Sequence, residues 1–285
     1  MTWQTEAGFP PTGEGEGPED LDRWNAWKAD YLTRSQREFC ARNPWFTFSK
    51  EEIFGRLGDR VRVPRVLAVA RGASASFGAV LAQVRRDNPG LRYIACKELR
   101  GHSARQVKVL EIDADGAGFY NHLAKATVTV SEMAAWLDGK SFLIEEGLYR
   151  PAEPIPLDFK VYVHRGHARA VLIIDRNHEK TSLAYLDAVT WDHLPWSEVF
   201  YYPAFPKWTE AAPPDGMLVA RARRAAAAAV RLVPLLRAED LFVSLDMYVM
   251  PDVGEVLLGE ITPRPGALQA NRIRVPFLRH VLGTG

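Results

Sequence analysis

LFVSLDMYVMPDVGEVLLGEITPRPG, residues 241–266, is the stretch from which the rest of the chain can be read. Leu241, Val243, Leu245, Met247 and Val249 alternate with Phe242, Ser244, Asp246, Tyr248 and Met250. That is the period of two by which a strand keeps one set of side chains on each face. Pro251, Asp252 and Gly254 supply turn chemistry and residues 255–262 alternate again, so the two runs predict an antiparallel hairpin. With the turn centred on Val253, Met250 faces Val256, Tyr248 faces Leu258 and Asp246 faces Glu260, with Thr262 further along that face. Carboxylates opposite each other repel unless a cation lies between them, and a hard divalent ion with oxygen ligands is the natural occupant. A solvated hairpin face on which two acids happen to align is the plain alternative. Pro263-Arg264-Pro265-Gly266 then stops the strand and offers a guanidinium just beyond the acids, where an anionic substrate neutralised by a metal would lie.

The composition sets bounds around this hairpin. With 285 residues, 47% of them hydrophobic and 25% charged, the chain can bury a sizeable core and build two lobes. A net charge of +1 gives no general reason to expect nucleic-acid or membrane binding. Cys40 and Cys96 are too few for a disulfide framework or a thiolate zinc site and fit a reducing compartment. No leader-like run opens the chain and no apolar stretch is long enough to span a bilayer, so the cytoplasm is the expected location. Nothing in the composition sets the oligomeric state.

Residues 1–19 are rich in Gly, Pro, Glu and Thr and are expected to be disordered. From Asp20 as N-cap, Leu21, Trp24, Trp27, Tyr31 and Phe39 pattern one amphipathic helix, and Ser49-Lys50-Glu51-Glu52 has the form of a capping box. Residues 93–97 (YIACK) read as a strand ending in Lys97, followed by a loop containing Gly101 and Ser103 and a second strand at 107–112. Such a loop can fold over phosphates with the lysine below it, although a plain turn reads the same way. A helix at 131–138 leads to the apolar strand around Ile144-Glu145-Glu146. Asp158-Phe159-Lys160 opens another hairpin, turning at Arg165-Gly166 and closing at Asp175-Arg176. Residues 177–215 show no clear periodicity and read as a long surface excursion, and residues 217–236 read as a helix stopped near Pro234. The arginines of that helix fit a solvated face, not a nucleic-acid surface.

In order, Lys97, Gly101 with Ser103, Ile144-Glu145-Glu146, Asp158-Phe159-Lys160, Asp175-Arg176, Trp191, Asp246 and Gly259-Glu260-Ile261-Thr262 resemble the ATP-grasp superfamily over roughly residues 45–270. Within it the chain looks most like the TupA-like group associated with teichuronic acid and other bacterial polysaccharides. The resemblance implies an α+β fold of two lobes closing on a nucleotide, with ATP and Mg2+ bound between them. Residues 20–90 would form a helical accessory region, 91–150 the small lobe, and 151–285 the large lobe with the metal site.

It also implies roles. Lys97 and Lys160 would contact the phosphates under a flap containing Ser103. Glu145 and the backbone at Leu148 would meet adenine, and Asp158 the ribose. Arg176 would stabilise the transferring phosphoryl group; Arg264, read from its own Pro-Arg-Pro-Gly motif and not from the resemblance, is expected to serve the acyl substrate. Asp246 and Glu260 would hold magnesium, with Thr262 standing where the family usually has asparagine; Ser244 stands where this group usually has an arginine. The implied activity is ligation of a small-molecule or glycan carboxylate to an amine or similar nucleophile through an acylphosphate. A kinase acting on a hydroxyl, and a nucleotide-binding protein without turnover, are the alternatives.

Overall fold

The computed structural model describes residues 21–72, 76–99, 106–113, 118–202, 205–265, 268 and 272–282. The expected disorder of residues 1–19 and the Ser103 loop lie outside them. The chain begins with α1 (Leu21–Arg42) and α2 (Lys50–Leu57). There follow β1 (Val66–Ala70), α3 (Phe77–Asp87), β2 (Tyr93–Glu98), β3 (Val107–Ile112), β4 (Gly118–Asn121), β5 (Ala126–Thr129), α4 (Val130–Leu137) and β6 (Phe142–Glu146). These strands form one antiparallel sheet in the order β1-β6-β2-β3-β4-β5. The second sheet contains β7 (Asp158–His164), β8 (His167–Asp175), β9 (Thr181–Asp187), β10 (His193–Leu194), β12 (Phe242–Val249) and β13 (Val256–Thr262). Its order is β10-β9-β8-β7-β12-β13, and β11 (Trp208–Glu210) pairs with β9. With α5 (Trp196–Val199), α6 (Gly216–Leu232) and α7 (Val275–Val281), this is the α+β class that the sequence implies, built as two sheet-and-helix lobes.

Local chemistry explains most element ends. Thr129 accepts from the Glu132 backbone while the Glu132 carboxylate accepts from the Thr129 N–H, a capping box that starts α4. Asp215 caps α6 at Leu218, and the buried alanines of α6 let it lie close on the sheet. Arg165 and Gly166 both take positive φ, 50° and 74°, the two-residue turn whose twist suits the β7–β8 hairpin. At α2 the expected capping box is not made: Ser49 forms no side-chain cap, and the Thr47 hydroxyl bonds Glu52 instead.

Two larger readings change. Residues 20–90 are shared between the lobes, because β1 pairs with β6 and α3 packs in the core of the first sheet, while Ile53, Phe54 and Leu57 of α2 join the core of the second. The excursion at 177–215 contains β9, whose Leu183 and Tyr185 enter one core while Ala184 and Leu186 enter another. A strand buried on both faces has no polar alternation to read.

The β12–β13 hairpin forms, with a shift. Val249 faces Val256 and Tyr248 faces Leu257, one residue away from the expected register, yet Asp246 faces Glu260 as expected. A bulge at Gly259 absorbs the difference. Glycine gives the tightest fit there: a Cβ would lie 2.7 Å from Tyr248 Cε2 and 3.2 Å from the Asp246 carbonyl oxygen, so the ring or the strand would have to shift. Among the described residues no helix is long and apolar enough to cross a membrane.

Candidate functional site

The even-numbered residues of β7 and β12 share one face of the second sheet. Lys160 is paired with Asp246 across the ladder, and Asp246 with Glu260, so three charged side chains form a row. Lys160 bonds Asp246 directly, and Thr262 Oγ1 donates to Glu260 Oε1 at 3.4 Å. Asp158, one turn of the pleat away, has Oδ2 3.5 Å from Arg176 Nη2, while its Oδ1 is buried with no protein hydrogen-bond partner. Odd-numbered neighbours such as Phe159, Val161, Leu245 and Met247 fill the core behind this row and hold it in place.

The first sheet supplies the facing wall. Lys97 of β2 and Glu145 of β6 form a buried ion pair, and Glu145 Oε1 is left without a protein partner. Between the walls lies a cavity of about 410 Å³. Ala95, Val107, Val109 and Leu123 make its apolar side on the first lobe, and Leu148, Ile155 and Ile174 face it from the linker and the second lobe. The linker approaches tightly at Gly147, where a Cβ would lie 2.7 Å from Tyr93 Cβ. Arg221 grips Glu153 with two bonds of 2.7 and 2.9 Å, and Glu153 accepts from the Leu157 N–H at 2.8 Å, so the residues leading to Asp158 are fastened to α6.

Charge and burial compete in this space. Burial pushes the Asp246 carboxyl up to about 7; Lys160 opposes the shift, and Asp158 and Glu260 add to it. Burial works against the charge of Lys160 too, but Asp246 and Asp158 outweigh it and raise its pKa. Glu260 is likewise penalised by burial, and the Lys50 ammonium, helped by Lys160 and Lys97, holds it below the usual carboxylate range. Burial lowers Lys97, with Glu145 resisting.

Of the residues singled out from the sequence, Lys97, Glu145, Leu148, Asp158, Lys160, Arg176, Asp246, Glu260 and Thr262 all line the one cavity. Arg264 does not line it; it is half-buried just past β13 between the buried Pro263 and Pro265. Arg272 and Arg274 lie over Phe205 and Tyr201. Several lining residues are not anticipated from the sequence, Lys50 and Trp208 among them. Lys50 reaches in from the first turn of α2 and bonds Glu260 Oε2 at 2.7 Å, and Trp208 lies at the rim, 42% exposed. Lys50 sits in a charged helix start that reads equally well as solvated.

Among the described residues no three His, Cys, Asp or Glu side chains converge on a point. The donors present are two facing carboxylates with a hydroxyl beside them. That set fits magnesium, which binds through one or two carboxylates and completes its shell with water and substrate phosphates.

No family model matches the chain, and a search of curated proteins finds no match. Among solved structures it is similar to a D-alanine–D-alanine ligase from Bacillus anthracis, at 13% identity over 83% of this chain and 66% of that one, TM-score 0.47. The D-cycloserine synthetase DcsG matches at 12% over 91% of this chain and 78% of its own, TM-score 0.46. The VanG D-Ala:D-Ser ligase from Enterococcus faecalis matches at 14% over 83% and 61%, TM-score 0.47. The chain spans slightly less than two thirds of the first of these.

Proposed function

We propose that this chain is an ATP-grasp ligase that uses ATP to activate a carboxylate as an acylphosphate, from which an amine or similar nucleophile displaces phosphate. The observation that carries this reading is that one cavity receives Lys97 and Glu145 from one sheet and Lys160, Asp246 and Glu260 from the other. Two cations and a facing acid pair are what a polyphosphate with its divalent ion requires.

In this reading the apolar slot between Val107, Val109 and Ile174 takes the base, and the unpartnered Glu145 Oε1 accepts from its amino group. The unpartnered Asp158 Oδ1 accepts from a ribose hydroxyl. Lys97 and Lys160 turn from their carboxylates toward the phosphates. Asp246, Glu260 and Thr262 would hold magnesium, which would supply neutralising charge for the phosphates. Arg176, one quarter exposed at the cavity wall, is assigned to the negative charge that spreads during phosphoryl transfer. The guanidinium of Arg264, with its backbone fixed by two prolines, is assigned to the carboxylate substrate. No side-chain nucleophile is needed, because positioning and charge stabilisation supply the rate. A saccharide or small-molecule acceptor in a biosynthetic pathway, in the cytoplasm, completes the reading.

Hydroxylamine tests it. Incubated with ATP, magnesium and a panel of carboxylic acids, the enzyme should release ADP and free phosphate and trap an acylphosphate as the hydroxamate. ADP release with phosphate retained on a hydroxyl product would make it a kinase, and nucleotide binding with no release under any acid would remove the enzymatic assignment.

A further inference from the structure

The edge of the second sheet at β13 is where two parts of the chain meet without strand pairing. The Leu258 N–H donates to the Arg62 carbonyl at 2.8 Å, so the segment after α2 runs along that edge. Ile53, Phe54 and Leu57 of α2 pack into the core behind the sheet, on the face opposite the cavity. Lys50, in the first turn, therefore has to pass the edge to reach Glu260 on the cavity side, and it arrives with only 9% of its side chain exposed. Among the described lining residues it is the only one that precedes β1.

We infer that Lys50 is a placeholder cation: its ammonium holds the Glu260 oxygen that a divalent ion takes in the loaded site, and binding of the ion displaces it. The inference rests on the metal assignment of Glu260 made above. Glu260 Oε1 is engaged by Thr262 and Oε2 by Lys50, so both oxygens already have donors. An ammonium and a divalent ion on one carboxylate oxygen repel strongly in a site this enclosed. The helix behind Lys50 is fixed by its apolar side, so the release has to be taken up by the side chain. Such an arrangement keeps the acid row compensated before substrate arrives and couples ion binding to a residue outside both sheets. The coupling is reciprocal: whatever Lys50 takes from the ion's affinity, the ion takes from the contact of Lys50 with Glu260.

The experiment is a Mn2+ titration followed by electron paramagnetic resonance in the presence of a non-hydrolysable ATP analogue, on wild type, Lys50→Met and Lys50→Arg. Without its competitor, Lys50→Met should bind Mn2+ roughly tenfold more tightly, while Lys50→Arg stays near wild type. Without metal Lys50→Met should melt lower than wild type, and it should gain more on adding Mn2+ with the analogue. Unchanged or weaker Mn2+ affinity in Lys50→Met overturns the inference, the weaker case making Lys50 a direct phosphate contact. If Lys50→Met does not fold, wild type carrying 13C-dimethylated lysines supplies the answer. Its Lys50 resonance, identified by its absence in Lys50→Arg, should move on adding Mg2+ with the analogue, and an unmoved resonance overturns the inference. Wild type that binds no Mn2+ alongside the analogue would instead sink the metal assignment itself, so the two failures are told apart.

Discussion

The two walls of the cavity carry the same kind of ion pair in different company. On the first sheet Lys97 and Glu145 are sealed, their side chains 7% and 2% exposed, and each is the other's ion-pair partner. On the second, Lys160 and Asp246 are more open, at 13% and 12%, and share their surroundings with Asp158, Glu260, Arg176 and Lys50. Burial governs Lys97, which is lowered; neighbouring acids govern Lys160, which is raised. The lesson is that, among the described residues, Lys97 and Glu145 pair only with each other, whereas the charges of the second wall are shared among several neighbours, so one contact there can be exchanged while the others stay. Sequence spacing alone does not distinguish the two lysines.

The sharpest way to break this comparison is to remove an acid from the crowded wall. Glu260→Gln should cut ADP production by on the order of 10²–10³-fold, the scale of losing a preorganised electrostatic contact, while circular dichroism stays native. A variant that turns over normally would strip Glu260 of its metal role.

Next in size is the contrast between the lysines. Lys97→Met leaves the enclosed Glu145 carboxyl without its ion-pair partner and should lose ~3–5 kcal/mol of stability in urea unfolding. Lys160→Met should lose less, because Asp246 already sits near neutrality and can take up a proton. A larger loss at Lys160 than at Lys97 would reverse the assignment of roles.

Gly259→Ala tests what holds the acid row in register. The new Cβ has to displace the Tyr248 ring or the Asp246 backbone, an overpacking that costs about 1–3 kcal/mol, with weaker Mg2+ binding as the second readout. Unchanged stability would mean that the bulge is not constrained by that contact.

The smallest effect is in pH. Asp246 is raised in the folded state, so in metal-free protein its contribution is fully present below its unfolded pKa of about 4 and is lost as pH rises through about 7. The stability of wild type minus that of Asp246→Asn should therefore fall from about pH 4 to about pH 7 and level off above it. Mg2+ with nucleotide should flatten that difference. A difference that stays level without metal would show that Asp246 is not raised.

Much of the site was legible because it is built on short-range rules. Alternation put Asp246 and Glu260 on one face, and the dipeptide Arg165-Gly166 announced its turn; neither needs distant partners. The hairpin register near the tip was misjudged by one residue because a bulge depends on which ring Gly259 has to admit, and Tyr248 is reached only across the strand pair. Strand β9 was hidden because cores on both sides of it erased the alternation that marks a strand.

Sequence by itself determined the order of the charged residues and the strand faces they occupy, since each follows from local periodicity and turn chemistry, and the α+β class came with the resemblance that this order carries. Only the tertiary structure decided that Lys97 and Lys160 would face one cavity from different sheets, and that β1 would join the first sheet as α2 packed on the second. Lys50 belongs with these. Its 2.7 Å contact with Glu260 joins residues 210 positions apart, and no local pattern can report such a separation, because the packing of α2 behind β13 is what creates it.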